Sequence, residues 1–526
     1  MLQRRTSPLK RFMMGAGLIV LAAFYGLMCS ILPAQLLFVP LAPILLMGAV
    51  CLWLLPDVGD VDTLRMRQLM LTFFALFGLW PNYIALDLPG LPWITPVRIV
   101  MGALSLIALV VISSSGDTRA RIWDAMNTVP LLRKLFWAFW LCTTISLVFS
   151  NQLTFSINKY LNNQIFWTLL FAITCYAATY RGFVGRACQM LVIGVIGACM
   201  AGLYEWHIER VYWLDHLPSF LKVDPAFLEQ VAKAQNRAGT DIYRVRGTMA
   251  VSLYFAEYLA MMFPMVVHFL INARTVMHKL LLGAALFAMM TVMYATNARS
   301  AMVGIVLTIG LYPFFLVWRA RQRHKASIAA TAGVMAYPAM VMVVALLVIF
   351  WRRAHVMVLG GGQHQPSSEA REVQWAMGIP KIMRRPLGHG QSTSGDVLGY
   401  MNGNGEVTVD SYYLTVLLEH GVFALPVLML MFGLPLWFGF WNYLKARTPE
   451  QDLLAPLAVG MFNFIVIKGV LSSEGDMPLA FAMLGMLIGL IWQIRRAEAG
   501  EAPRLISPAV AKANGRNLPV PVGSRA

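Results

Sequence analysis

Apolar residues run in blocks of about 17–25 along most of the chain, the length that carries an α-helix across a bilayer. Blocks at roughly 12–32, 34–55, 67–86, 97–114, 135–150, 164–180, 186–206, 251–272, 279–297, 300–318, 327–350, 412–443, 453–472 and 477–494 predict about fourteen spans. Short polar stretches separate them, and Lys and Arg gather in alternate ones. With the first block starting inside, Arg65/Arg67, Arg119/Arg121/Arg133/Lys134, Arg181/Arg186, Arg274/Lys279, Arg319/Arg321/Arg323/Lys325, Lys445/Arg447 and Arg495/Arg496 all fall on the cytoplasmic side. The opposite short loops, Asp87–Pro96 and Ser472–Met477, contain neither residue. The positive-inside rule then predicts that both termini are cytoplasmic.

Two long segments fall outside, His207–Ala250 and Trp351–Ser411, and long loops are exempt from the charge rule. The first predicts a short helix over Pro225–Arg237. The second predicts one over Ser367–Met383, opened by Pro366-Ser367-Ser368-Glu369. Gly360-Gly361-Gly362 and Leu387-Gly388-His389-Gly390 predict flexible or tightly turning pieces. The chain therefore divides into N-terminal spans (1–206), a first periplasmic loop (207–250), central spans (251–350), a large periplasmic loop (351–411), C-terminal spans (412–494) and a tail (495–526). The tail's Pro, Gly and scattered Arg predict disorder. At the other end, Arg4-Arg5 and Lys10-Arg11 precede Phe12–Leu32, which has no small-residue cleavage site and predicts an uncleaved first span.

Composition agrees with this pattern. Of the 526 residues 58% are hydrophobic and 13% charged, about half the charged share of a soluble domain, and the mean hydropathy is +0.64. Tandem soluble domains and a disordered scaffold are excluded, leaving an all-α polytopic membrane protein whose large periplasmic loop domain contains short helices. The net charge of +17 would suit nucleic acid, but it lies in loop clusters, so no nucleic-acid partner is expected. All six cysteines (Cys29, Cys51, Cys142, Cys175, Cys188, Cys199) fall inside apolar blocks, which argues against a disulfide framework. Asp60-Val-Asp62 imitates the motif of metal-dependent glycosyltransferases but lies on the cytoplasmic side. No phosphate loop with a Walker lysine and no internal repeat is present.

Cations at the outer edge of the bilayer need a reason, because a central Arg costs about 2.5–3.5 kcal/mol on insertion scales. Arg299 stands in Tyr294-Ala-Thr-Asn-Ala-Arg-Ser-Ala301, at the outer turn between two spans. Arg98 begins the fourth span, and Arg244 and Arg246 precede the eighth in Tyr243-Arg-Val-Arg-Gly-Thr248. Each could snorkel to lipid phosphate. Together they could form an anion site, since the guanidinium fork matches phosphate oxygens.

Arg-x-Arg-Gly-Thr before a span, then Thr296-Asn-Ala-Arg-Ser-Ala301, then a large outer loop resembles the O-antigen ligase and Wzy-type polysaccharide polymerase superfamily. That loop holds Arg371-Glu-Val-Gln-Trp375, Arg385-Pro-Leu-Gly-His-Gly390 and Asp410-Ser-Tyr-Tyr-Leu-Thr-Val-Leu-Leu-Glu-His-Gly421. The resemblance covers about Tyr243 to Leu434. It implies a metal-independent, cofactor-free glycosyltransferase of the GT-C type, in the inner membrane and facing the periplasm. Donor and acceptor would be undecaprenyl-diphosphate-linked oligosaccharides, with membrane lipid, a chain-length regulator and export proteins as partners. By the same resemblance, Arg299 and either Arg244 or Arg246 hold the diphosphate.

One position departs from the family. Its His-Asn/Ser-x-Tyr-Leu pattern, whose His acts on the acceptor, here has Asp410 at the His position, ahead of Ser411, Tyr412, Tyr413 and Leu414. A carboxylate can accept a hydroxyl proton as general base, and Asp410 also stands where a helix N-cap would. The Asp variant leans toward exopolysaccharide polymerases and away from ligases. Further candidate substrate contacts are Arg98, Arg371, Trp375, His389, Tyr412 and Glu419. Trp375 could stack on a sugar or pack within the loop, His389 could replace the absent His, and Glu419 could orient a partner or pair with Arg385. The competing readings are transfer of a finished glycan by a ligase, and transport of lipid-linked saccharides. Transporters place charges at mid-membrane, where this chain offers mainly Glu257 and Lys468.

Overall fold

The computed structural model describes residues 61–86, 94–224, 242–352, 365–401 and 407–500, with isolated positions between 47 and 59 and at 228, 231 and 405. The expected span 12–32, most of 34–55, the helix expected at Pro225–Arg237 and the tail beyond 500 lie outside the described residues. Contacts divide the chain into two compact units. In the smaller, which includes 109–119, exposed Asp57 accepts the Gly116 N–H at 3.0 Å and pairs with Arg119 at 3.3 Å. The larger unit comprises 62–108 and 120–526.

The helices, in chain order, are α1 (Leu64–Leu79), α2 (Pro96–Ser114), α3 (Gly116–Asn127), α4 (Pro130–Val148), α5 (Leu153–Asn163), α6 (Leu170–Ala177), α7 (Phe183–Ile208), α8 (Ser252–Asn272), α9 (Val276–Ala295), α10 (Arg299–Arg323), α11 (Ile328–Phe350), α12 (Gln365–Arg384), α13 (Ser394–Leu398), α14 (Tyr412–His420), α15 (Ala424–Tyr443), α16 (Leu454–Ile467) and α17 (Met477–Glu498). Among the described residues nine of them are long and apolar enough to cross a membrane. Shorter α1 and α16, and α5 joined to α6 through a π-helical turn at Gln164–Leu169, lie at the expected spans 67–86, 453–472 and 164–180. The architecture is the all-α, multi-pass one that hydropathy predicts. A two-stranded antiparallel ribbon, β1 (Ile84–Leu86) with β2 (Leu221–Val223), pairs Ala85 with Lys222.

α17 and α8 form the centre. Their apolar windows are 94% and 72% buried, against 0% for α11, whose all-round apolar surface suits lipid. Close approach rests on small residues and on polar side chains that bond across helices. Gly304 of α10 lies against Ala260 of α8, where a Cβ would clash. Beside it Asn463 of α16 donates to the Ala260 carbonyl at 2.8 Å and to Thr308 Oγ1 at 2.9 Å.

The expected span 412–443 is two helices. The chain turns at Gly421 (φ +86°), so α15 crosses the bundle while α14 packs beneath the large loop. The turn is interlocked with the Leu387-Gly388-His389 segment. The Val422 N–H donates to the Pro386 carbonyl at 2.9 Å, and the His389 N–H to the Leu418 carbonyl at 2.9 Å. Gly388 (φ +94°) and Gly421 each face the backbone of the other segment so closely that a Cβ would overlap it. Over this base α12, α13 and α14 close a small core of Ile382, Leu398, Leu414 and Leu418.

The opposite end of the bundle is tied by its own charges. Glu450 accepts the Gly182 and Val184 N–H groups at the start of α7, at 2.6 and 2.9 Å, which neutralises the positive end of that helix. Arg319 pairs with Asp452 across the same end.

Candidate functional site

The two arginine motifs meet at the loop-bearing end of the bundle. The Val245 N–H donates to the Ala295 carbonyl at 3.2 Å, and Arg244 Nε donates to the Thr296 carbonyl at 3.1 Å. The segment before α8 thus lies along the turn between α9 and α10. That turn is sharp because Asn297 takes a left-handed conformation (φ +49°), which Asn tolerates better than most residues. Arg299 follows as the first residue of α10, half-buried, with Arg244 also half-buried. A cation there works against the helix dipole, so the helix itself does not account for it.

Arg246 sits behind these two. It is 1% exposed and ion-paired with an equally buried Glu205 of α7, Nε to Oε1 3.6 Å. Glu205 also accepts the Tyr243 hydroxyl at 2.6 Å, the Gly247 N–H at 2.7 Å and the Arg246 N–H at 3.2 Å. One carboxylate therefore pins the whole Tyr243–Gly247 turn. Thr248 fastens its far side, donating from Oγ1 to the Gly78 carbonyl at 2.8 Å. Arg98 is exposed in the first turn of α2, just past Ile94, which bridges to Leu86 of the ribbon.

Asp410 is half-buried and held by a residue of the loop helix. Gln374 Nε2 donates to its Oδ2 at 3.2 Å, and its own N–H donates to Gln374 Oε1 at 2.9 Å. It is not the cap of α14. The cap position is Ser411, with no side-chain hydrogen bond to the helix. Arg371, one turn before Gln374, has a buried Nε without a hydrogen bond. Burial lowers the pKa of its guanidinium, and the negative charge of Asp410 works the other way.

The other loop candidates have structural partners. Trp375 packs on the small core of the loop helices, which supports the packing reading over a free sugar platform. His389 is buried, with Nδ1 2.8 Å from the Leu418 carbonyl. Glu419 does not meet Arg385, which donates to the Phe149 carbonyl at 3.2 Å and to Asn151 Oδ1 at 3.1 Å. Glu419 instead accepts the Ser394 hydroxyl at 2.6 Å and the Ser392 N–H at 2.8 Å, holding the turn after His389. Burial first, then the Glu474 charge, push its carboxyl up to about 8. Tyr412 is buried, its N–H donating to the Lys468 carbonyl at 3.0 Å and its ring 5.0 Å from Lys468 Nζ.

Beneath Tyr412 lies an ionic cluster. Lys468 Nζ donates to Glu257 Oε2 at 3.0 Å and to the Ser473 carbonyl, with both charged side chains wholly buried. The two mid-span charges are thus each other's partners, as burial in an apolar bundle requires. Asp476 shares a hydrogen bond with Glu257, and burial raises its carboxyl pKa. Glu474 accepts from Asn163 at 3.2 Å and Gln391 at 3.1 Å, and burial raises its pKa as well. The π turn after Asn163 resets the helix register just past this contact. Among the described residues no group of three or more His, Cys, Asp or Glu converges as a metal site.

Glu205, Gln374, Glu474 and Asp476 were not among the expected residues. Only Glu205 left a usable trace, as an acid close to the end of an apolar block.

Residues 284–429 match the family model described as O-Antigen ligase. The match takes in Arg299, Arg371, Trp375, His389, Asp410, Tyr412 and Glu419, while Arg98, Arg244 and Arg246 precede it. No curated protein matches the chain. The motif resemblance is borne out at the level of the superfamily. Residues 284–429 are thus similar to the O-antigen ligase family, within a chain that has the helices of a multi-pass membrane protein.

Proposed function

We propose that this is an inner-membrane polysaccharide polymerase, both termini cytoplasmic, joining undecaprenyl-diphosphate-linked oligosaccharide repeats on the periplasmic side. The donor is the growing chain on its lipid diphosphate, and the acceptor is a hydroxyl of the incoming repeat. The acceptor oxygen bonds to the anomeric carbon while its proton passes to Asp410. The anomeric C–O bond to the diphosphate breaks, and its electron pair leaves with the lipid diphosphate.

Charge grows on the diphosphate as that bond breaks, and fixed guanidinium groups stabilise the growth more than they stabilise the bound donor. Arg299 and Arg244 take this role, with Arg98 and Arg371 as outlying cations. Arg246, already neutralised by Glu205, acts by holding the turn that presents Arg244. Asp410 has its Oδ2 engaged by Gln374, which leaves Oδ1 to receive the proton.

The observation that carries this reading is the bond from Arg244 to the Thr296 carbonyl, which joins two arginine motifs separated by 52 residues. Arg299→Ala and Arg244→Ala are expected to abolish long polymer on polysaccharide gels while the protein still inserts. Normal chain lengths in both would remove the diphosphate role. Deletion of the gene should leave single lipid-linked repeats. Accumulation of lipid-linked polymer would instead make the protein a ligase, and repeats stranded on the cytoplasmic leaflet a transporter.

A further inference from the structure

Gln374 is wholly buried on α12, a helix whose neighbouring positions Glu372 and Val373 are exposed. An uncharged amide in that position has to satisfy both of its ends within the protein. Both ends go to one residue: Oε1 takes the Asp410 backbone N–H at 2.9 Å, and Nε2 gives to the Asp410 carboxylate at 3.2 Å. The backbone N–H can only donate and an ionised carboxylate can only accept, so this pairing fixes the orientation of the amide. Leu398 and Leu414 lie against the neighbouring Gly378 of the same helix, so the helix that supplies the amide is itself seated in the loop core.

We propose that Gln374 is the positioning residue for Asp410: a rigid, planar amide that grips the aspartate at its backbone and at one carboxylate oxygen, and aims the other oxygen at the acceptor hydroxyl. The inference rests on the reading of Asp410 as the base. A side chain with two free torsions, in a segment without regular structure between Val409 and Tyr412, would otherwise sample several rotamers, and proton transfer needs the acceptor oxygen within hydrogen-bond reach of the hydroxyl. Arg371, one turn earlier on the same helix, is the charged group that acts on Asp410 from this side.

The test uses the full-length protein in proteoliposomes, with lipid-linked repeats extracted from cells lacking the gene as donor and acceptor. Gln374→Leu, close in size but without either bond, should lower kcat about 10- to 100-fold, in line with the usual range for general-base catalysis, with KM little changed. The acid limb of its pH–rate profile should move to higher pH. Gln374→Glu, which offers Asp410 a second carboxylate, should move that limb further and serves if the leucine variant does not accumulate. In an Asp410→Asn background, Gln374→Leu should cost nothing more.

Equal further losses in both backgrounds would make Gln374 a structural residue and overturn the proposal. So would an unshifted acid limb with wild-type kcat per folded molecule. Full activity of Asp410→Asn by itself is a separate outcome. It would remove the base, and the positioning role along with it, whereas an inactive Asp410→Asn beside a fully active Gln374→Leu would remove the positioning role alone.

Discussion

Replacing Glu205 by glutamine perturbs a single buried carboxylate on which four groups converge. Glu205 and Arg246 are each 1% exposed, and the carboxylate also takes the Tyr243 hydroxyl and the N–H groups of Arg246 and Gly247. The amide keeps one acceptor oxygen but turns an NH2 toward a backbone N–H, and it leaves the guanidinium without its counter-charge. Removing one partner of a buried pair costs about 3–5 kcal/mol. The polar bonds disturbed here put the expected loss within that range rather than below it, since each stranded buried donor costs about 1–3 kcal/mol and the terms overlap. Arg246→Met should cost a similar amount by stranding the carboxylate. The double variant, with neither charge left to bury, should lie closer to wild type than the two single losses added together. Thermal unfolding of the detergent-solubilised protein at one fixed scan rate, read by loss of monodispersity, compares the four proteins on a common scale. Strict additivity of the midpoint shifts would show that the two residues do not act as a pair, and the account of the Arg-x-Arg-Gly-Thr turn would fail with it.

Asp410→Asn should leave thermal stability within experimental scatter, because α14 takes no cap from it, while polymerisation falls by about 10²–10⁴-fold. Glu419 titrates near 8 in the folded protein against an ordinary 4.5, so the folded state holds the extra proton between those values and stability should fall as pH rises through that window. Glu419→Gln, which keeps an acceptor for Ser394, should flatten the fall in melting temperature measured from pH 5 to 8, and an unchanged slope would place the titration elsewhere. Gly421→Ala should sharply reduce folded protein in membranes, since the new methyl meets the Pro386 carbonyl at a positive φ, whereas Gly433→Ala, with open space around it, should be silent in the same expression assay.

Hydropathy gave the all-α, multi-pass class because insertion energy sums over twenty residues and tolerates local irregularity. It was blind to structure inside a block. The break at Gly421 follows Glu419 and His420, two polar residues that an average over twenty positions passes over, and the positive φ that glycine permits turns α14 away from α15. The π turn at Gln164 is likewise invisible to a scale that counts apolar residues. Arginines could be picked out in the sequence because a cation at an outer turn goes against the charge rule. The pairing of Arg246 with Glu205 could not, since the acid lies 41 residues before the arginine and a contact between two elements has no spacing signature. The same holds for Gln374, a common polar residue on a helix already assigned to the loop, whose importance comes entirely from meeting Asp410.

The two halves of the proposed reaction place different demands on rigidity, and the fold meets them with different materials. The leaving diphosphate needs charge fixed against a bundle end, and there the turn is tied to α7 by the Glu205 carboxylate, to α9 by the Ala295 and Thr296 carbonyls and to α1 by the Gly78 carbonyl. The acceptor side must admit successive repeats and release a longer product. It is built on loop helices joined to the bundle through amide, hydroxyl and backbone hydrogen bonds, chiefly at Gln391, Glu474 and Glu419. Contacts of that kind cost less to open than a charged pair at 1% exposure. Hydrogen exchange should therefore show the 385–398 segment opening well before Tyr243–Thr248. If the arginine turn exchanged as fast as the loop, fixed charge could not be the source of leaving-group stabilisation.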